Sequence, residues 1–249
     1  MSGIVGKNLG RSSGIITATP VGADTVDETK LKDAFVADFT EVTVATGDSL
    51  LFGDADGSGN TKRDTVQGVI DLVHGATAGV QTIWIPATAM APTASNPCAD
   101  IESVETTSGR PDMRVLDFDD GSDEHAQFQI AFPKSWNEGT ITFQVYWCST
   151  ATDTDGVSWG LQGVSVPDNS TIDVAYGTAV VVDDVNQGAA EEMLVSPTSS
   201  AVTIAGAAVD TVTFFRIFRD VSDANDTAAE DARLIGVKLF FTTNAENDA

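Results

Sequence analysis

The chain has 249 residues, 42% of them hydrophobic, and a mean hydropathy of +0.00, enough apolar material for a folded core. Its 37 acidic against 13 basic residues give a formal net charge of −24. A field of that sign repels nucleic-acid phosphates and anionic lipid, which excludes binding that rests on clustered Lys and Arg. No apolar run approaches the ~20 residues that span a bilayer, and MSGIVGKNLG lacks the apolar stretch of a signal peptide. The expectation is synthesis in a cytoplasm, with neither nucleic acid nor membrane as partner.

Along the chain the charge is uneven: +2 over residues 1–20, −7 over 21–80 and −19 over 81–249. Residues 1–22, rich in Gly, Ser and Thr, carry no helical or strand period. Their scattered apolar side chains (Ile4, Val5, Leu9, Ile15, Ile16) and the cations Lys7 and Arg11 suit an extended arm that orders against a partner. Residues 23–78 read as a small α/β unit. DETKLKDAF predicts a short helix opened by Asp27, and EVTVATGDSLLFGD predicts a strand pair turning near Gly47 and Asp48. Val66, Val69, Ile70 and Val73 recur at helical spacing, with a stop predicted at Gly75.

Residues 79–249 predict an all-β domain. QTIWIP (81–86), ADIESVE (99–105), RVLDF (114–118), VSWGLQGVSV (157–166) and TVTFFRIF (211–218) are strand candidates. Phe128, Ile130 and Phe132 alternate with polar or small neighbours, as do Ile141, Phe143, Val145 and Trp147. In ARLIGVKLFF (232–241) neither face is clearly polar, which predicts a central strand covered on both sides. Short strands parted by Gly, Asp, Asn and Pro clusters predict a jelly-roll-like antiparallel β-sandwich, preceded by the α/β unit and the arm.

Catalytic chemistry has little support. Asp54, Asp56, Ser58, Gly59 and Asn60 copy the opening of an EF-hand loop, but the twelfth position is Thr65 in place of Glu and the eighth is Thr61. Asp54, Asp56 and Ser58 are thus a weak cation candidate, and a polar turn is the better reading. His74 and His125 are the only histidines, and Cys98 and Cys148 the only cysteines, expected as free thiols. No nucleotide-binding glycine motif is present. Acidic pairs (Asp119 and Asp120, Asp183 and Asp184, Glu191 and Glu192) are expected as solvated loop positions among so many acids. No cofactor is implied. Of the four tryptophans, Trp136, between Pro-Lys-Ser and Asn-Glu-Gly, is the candidate for an exposed sugar-stacking ring, and Trp147 for a core one.

Residues 132–166 carry a Pro-x-x-Trp-x-x-Gly-Thr turn, a strand ending in an aromatic pair, and a second strand with Val-x-Trp-Gly. This resembles a module of structural proteins of tailed phages. Residues 215–241 resemble its closing strands, and DSLLFGDADGSGNTKRDTVQGVIDL resembles N-terminal units of phage fibre-like and head-decorating proteins. The resemblance implies a jelly-roll-like sandwich, a homotrimer and no catalytic residues. It leads to the expectation of a capsid decoration (cement) protein on the outer surface of the virion, assembled in the host cytoplasm and bound to the major capsid protein. Ile4, Lys7, Leu9, Arg11 and Ile15 would anchor the arm. The alternative is a tail- or head-fibre adhesin binding host glycan, through Trp136. A secreted carbohydrate-active enzyme or binding module is a third reading, disfavoured by the lack of a signal peptide. Arg219, Asp220, Asp226 and Arg233 are expected to form an ion-pair cluster holding the last two strands.

Overall fold

The computed structural model describes residues 43–56, 60–77 and 79–245, the side chains at 60 and 74–77 excepted. The arm anchors Ile4, Lys7, Leu9, Arg11 and Ile15, the helix predicted at Asp27 and the loop residue Ser58 lie outside the described residues. The chain divides into two compact units, Met1–Val66 and Gln67–Ala249.

In the first unit β1 (Ser49–Asp54) pairs antiparallel with β2 (Asn60–Thr65), from Ser49 opposite Thr65 to Asp54 opposite Asn60. The strand pair was predicted one element too early. Gly47 and Asp48 do turn, with Asp48 N donating to Ala45 O at 3.0 Å, but that turn leads into β1. The chain leaves β1 through a turn at Ala55 and Asp56 and enters β2 at Asn60. β2, NTKRDT, has no apolar residue and so no alternation to read. Helix α1 (Val66–Thr77) follows at the predicted spacing and runs two residues beyond Gly75. An interior glycine costs about 1 kcal/mol relative to alanine, too little by itself to end a helix.

The second unit is a sandwich of two antiparallel sheets. One has five strands in the order β10 (Val180–Val185), β9 (Gly156–Val166), β12 (Val212–Arg219), β7 (Glu124–Ile130), β4 (Ala91–Pro92). The other runs β11 (Leu194–Val195), β8 (Thr142–Cys148), β13 (Ala232–Thr242), β6 (Asp112–Phe118), β5 (Glu102–Glu105), with β3 (Val80–Pro86) also on β13. The predicted strands all form, with boundaries moved by a few residues. β10 was missed because AVVVDDV changes from an apolar run to acids without alternating.

β13 is central in its sheet. Its far edge pairs with β6 over Ala232–Leu234 and with β3 from Gly236, and at Ile235 the register with β8 shifts in a bulge. The prediction that both faces of β13 are covered fails on one side. Leu234, Val237, Leu239 and Phe241 are buried, whereas Ile235, Lys238 and Phe240 are half-buried. Its apolar composition reflects a place in the middle of a sheet more than cover from above.

Aromatic rings tie the sheets together. Trp159 of β9 meets Phe118 of β6 edge-on at 5.2 Å and Trp147 of β8 at 6.2 Å, both across the layer. Trp147 Nε1 also donates to Asp184 Oδ2 of the opposite sheet at 2.8 Å. At roughly 150–250 Å² and ~25 cal/mol per Å², each buried ring contributes about 4–6 kcal/mol of transfer free energy before ordering entropy is counted. Trp136, predicted to be exposed, is 1% exposed. The backbone turns back at Pro133, with Trp136 N donating to Pro133 O at 3.0 Å, and the indole stacks on Phe132 at 4.1 Å. Lys134, Asn137 and Glu138 lie in solvent while the ring they bracket does not.

Arg219, at the end of β12, is fully buried. Its Nε and Nη2 grip both oxygens of Asp226 at 2.8–3.2 Å. Nη1 donates to Glu230 O at 2.8 Å and Phe118 O at 3.3 Å, and Nη2 to Ala228 O at 2.5 Å. Asp226 Oδ2 in turn accepts from Ser158 N at 2.9 Å. The predicted cluster therefore divides. Arg219 and Asp226 form a buried pair, while Arg233 faces Asp117 at 3.7 Å and Glu191 at 3.5 Å near the surface. Asp220 lies outside both pairs and accepts from Ser222 Oγ at 2.7 Å.

Removing one partner of a buried pair strands the other charge, so Arg219→Met is expected to cost about 3–5 kcal/mol. Arg219→Lys should recover little of it, because an ammonium cannot reach five acceptors in a fork. Urea titration measures both; an unchanged midpoint for the Met variant would contradict the assignment.

Candidate functional site

The residues singled out as possible ligands are scattered by the fold. Asp54 ends β1 and its Oδ1 accepts from Asp56 N at 3.2 Å, so the carboxylate caps its own turn. Glu191 pairs with Arg233, and Glu192 Oε2 accepts from Ala189 N at 3.3 Å. Asp183 accepts from Ser158 Oγ and Asn225 Nδ2, both at 2.8 Å, while Asp184 holds Trp147. Asp119 Oδ1 accepts from Gly121 N at 2.8 Å, and that bond holds its pKa below the usual carboxylate value. Each pair serves the backbone or the core around it. Cys98 and Cys148 are free and buried, and burial pushes their thiols up to about 12 and about 11, away from thiolate chemistry.

A coherent arrangement lies instead on the outer face of the five-stranded sheet. Along β12, Thr213, Phe215 and Ile217 enter the core, which turns Val212, Phe214, Arg216 and Phe218 outward. Register then sets three rows across β9, β12 and β7: Val164, Phe214 and Gln129; Gln162, Arg216 and Gln127; Gly160, Phe218 and His125. Phe218 lies flat over β9 because residue 160 is glycine; a Cβ there would run into the ring. His125 packs against the other side of Phe218 at 5.4 Å. Burial, and then the charge of Arg216, lower the His125 pKa below 6.5, so the imidazole is neutral at pH 7.

The middle row is the most polar. With the Gln162 carboxamide turned to satisfy both its ends, its oxygen accepts from Arg216 Nε at 2.6 Å and from Nη2, and its nitrogen donates to Gly177 O at 3.2 Å. The Arg216 guanidinium also lies over the Tyr176 ring at 5.3 Å. Clefts flank the rows on both sides. One, of about 590 Å³, is lined by Val212, Phe214, Ile172, Asp168 and Asp210. The other, of about 550 Å³, is lined by Gln127, Gln129 and the segment from Thr88 to Ala94. Asn169 and Asp210, on the rim of the first, adopt left-handed backbone at φ 59° and 58°.

No family model and no curated protein matches this chain. Among solved structures, a family 35 carbohydrate binding module from Clostridium thermocellum is 12% identical over 64% of this chain and 97% of its own, with a TM-score of 0.37. The CBM36-1 domain of a multidomain xylanase from the hindgut metagenome of Trinervitermes trinervoides is 9% identical over 64% and 96%, with a TM-score of 0.35. The CBM35 from Cellvibrio japonicus Abf62 is 11% identical over 64% and 92%, with a TM-score of 0.35. These are likenesses of β-sandwich architecture and of nothing finer.

The exposed tryptophan is Trp84 and not Trp136. Trp84, 45% exposed, sits on the opposite sheet in the alternation that separates Thr82 and Trp84 from Ile83 and Ile85. That signal was present in QTIWIP. The three rows were hidden because β12 is apolar on both faces, and because Gln162, Arg216 and Gln127 meet only through strand pairing at separations of tens of residues.

One carboxylate outside the face titrates unusually. Burial raises Asp117 to about 6 against the partial opposition of Arg233, with Glu102 and Asp231 adding to the rise. A carboxyl raised in the folded state binds its proton before the unfolded chain does, so it lends stability as pH falls from about 6 towards 3.8. Thermal unfolding should show a gain over that window that is smaller in Asp117→Asn. An identical pH profile for the two proteins would contradict the shift.

Proposed function

We propose that this chain is a non-catalytic, glycan-binding β-sandwich module of the adhesin type, borne on a tail or head fibre of a phage virion. The observation that carries the reading is the row of Gln162, Arg216 and Gln127 set between two clefts on a rigid sheet. Sugar hydroxyls both donate and accept, and carboxamides do the same, so Gln127 and Gln129 match them in kind, while buried Gln162 holds Arg216 in place. The C–H faces of a pyranose suit aromatic surface, which Phe214 and Tyr176 supply beside the amides. Rigid strands hold such groups more exactingly than loops do. Carbohydrate-binding modules share the sandwich, but the reading rests on the face and not on that likeness. The non-catalytic part is supported by the carboxylate pairs, each engaged by its own backbone or core.

The shell-decoration reading keeps one observation in its favour. Leu50, Leu51 and Phe52 are 46%, 74% and 47% exposed, and as consecutive strand residues they lie on both faces of the hairpin. Contact with the major capsid protein, or with further copies in a homotrimer, would cover both faces. That reading requires copies per virion comparable to the shell protein, a quantity measured by mass spectrometry of purified particles.

Screening the full chain on a glycan array, then titrating the hits by calorimetry, tests the main proposal. Gln127→Ala and Phe214→Ala are each expected to weaken binding about tenfold or more, roughly 1.4 kcal/mol. Trp136→Phe should bind as the parent does. An array without hits, or hits indifferent to both substitutions on the face, would contradict the proposal.

A further inference from the structure

Arg216 differs from the other two arginines of the last two strands. Arg219 is closed in by Asp226 and backbone carbonyls, and Arg233 faces Asp117 and Glu191. Arg216 has no carboxylate partner among the described residues. Its cross-strand neighbours are Gln162 and Gln127, its outward neighbours along β12 are Phe214 and Phe218, and the diagonal positions hold Gly160, Val164, His125 and Gln129. All are uncharged at pH 7, His125 included. With 37 acids available in the chain, a half-buried cation ringed only by amides, aromatics and small residues is an unneutralised charge on an otherwise uncharged patch.

The guanidinium is also held in a useful pose. Gln162 takes the edge formed by Nε and Nη2, and Tyr176 lies against the flat face. Of the five N–H groups of an arginine, this leaves three at the Nη1–Nη2 end without a protein partner among the described residues. Two nearly parallel N–H vectors at that end match the two oxygens of a carboxylate. Because the amide and the ring fix the side chain before a ligand arrives, little rotamer freedom is lost on binding.

Resting on the glycan-binding reading above, we propose that Arg216 receives a carboxylate of the bound sugar, so that the ligand is an oligosaccharide containing uronic or another carboxylated sugar. Gln127 and Gln129 then take ring hydroxyls on the β7 side, and Phe214 underlies a neighbouring sugar. The net charge of −24 disfavours a densely charged polyanion, which points to acidic residues spaced by neutral ones.

Calorimetry with a panel of uronate- and sialate-containing oligosaccharides, each beside its carboxyl-reduced counterpart, tests this on the full chain. The acidic form of at least one pair should bind about tenfold or more tightly than the reduced form, the scale of one charge-assisted pair. Arg216→Gln should abolish that preference, so that the acidic and reduced forms bind the variant with equal affinity, the acidic form having lost about tenfold or more. Circular dichroism and a thermal midpoint establish that the variant is folded. Equal affinity for acidic and reduced forms, unchanged in Arg216→Gln, would overturn the carboxylate assignment and leave the glycan reading standing. With sulfated analogues included in the panel, tighter binding of sulfated than of carboxylated sugars would overturn the assignment in favour of sulfate. Binding of no sugar, acidic, reduced or neutral, would sink both.

Discussion

The sandwich depends on one buried cation. The Arg219 fork gathers a carboxylate and three backbone carbonyls from β6 and the loop between β12 and β13, and Asp226 passes the contact on to β9. Without it, the loop from Asp220 to Asp231 would have to satisfy those oxygens with water, in the interior, between the two sheets. β12 is thereby fixed at its end. Because β12 is the middle strand of its sheet, fixing it also fixes the rows that Arg216, Phe214 and Phe218 make with β9 and β7. The same strand turns one arginine inward and, three residues earlier, another outward. The inward one holds the fold, and the outward one gives the face its charge.

Charge otherwise runs against ligand binding. A surface this acidic repels anions at long range, and at ordinary salt that repulsion fades over about 8–10 Å. Inside that distance the three rows present amides, aromatic edges and a single guanidinium, and the carboxylates of Asp168 and Asp210 line the cleft beside Phe214. A neutral or sparsely acidic ligand therefore meets little opposition, while a polyanion meets the whole field.

Much of the fold was legible in the residues because half-buried strands alternate. TITFQVYW and QFQIAF each sort their side chains to two sides, and each became a strand of the sandwich. The buried pair was legible in part: Arg219 and Asp226 read as one cluster with Asp220 and Arg233, which the structure divides. The site was not. Gln162, Arg216 and Gln127 are unremarked residues in their own segments and acquire meaning only when three strands align. Trp136 misled for the opposite reason: polar neighbours describe where the backbone is, and a turn sent the ring the other way. β2 and β10 escaped because a strand of polar or changing composition leaves no period.

The most direct measurement of the central claim is amide chemical-shift mapping of the isotopically labelled full chain on titration with a bound glycan. The account predicts perturbations that saturate together and cluster on β9, β12 and β7, at Gln162, Arg216, Gln127, Gln129 and Phe214, with the Tyr176 segment beside them. Saturable shifts centred instead on Trp84 and Tyr146 of the opposite sheet, or on the β1–β2 hairpin, would contradict it.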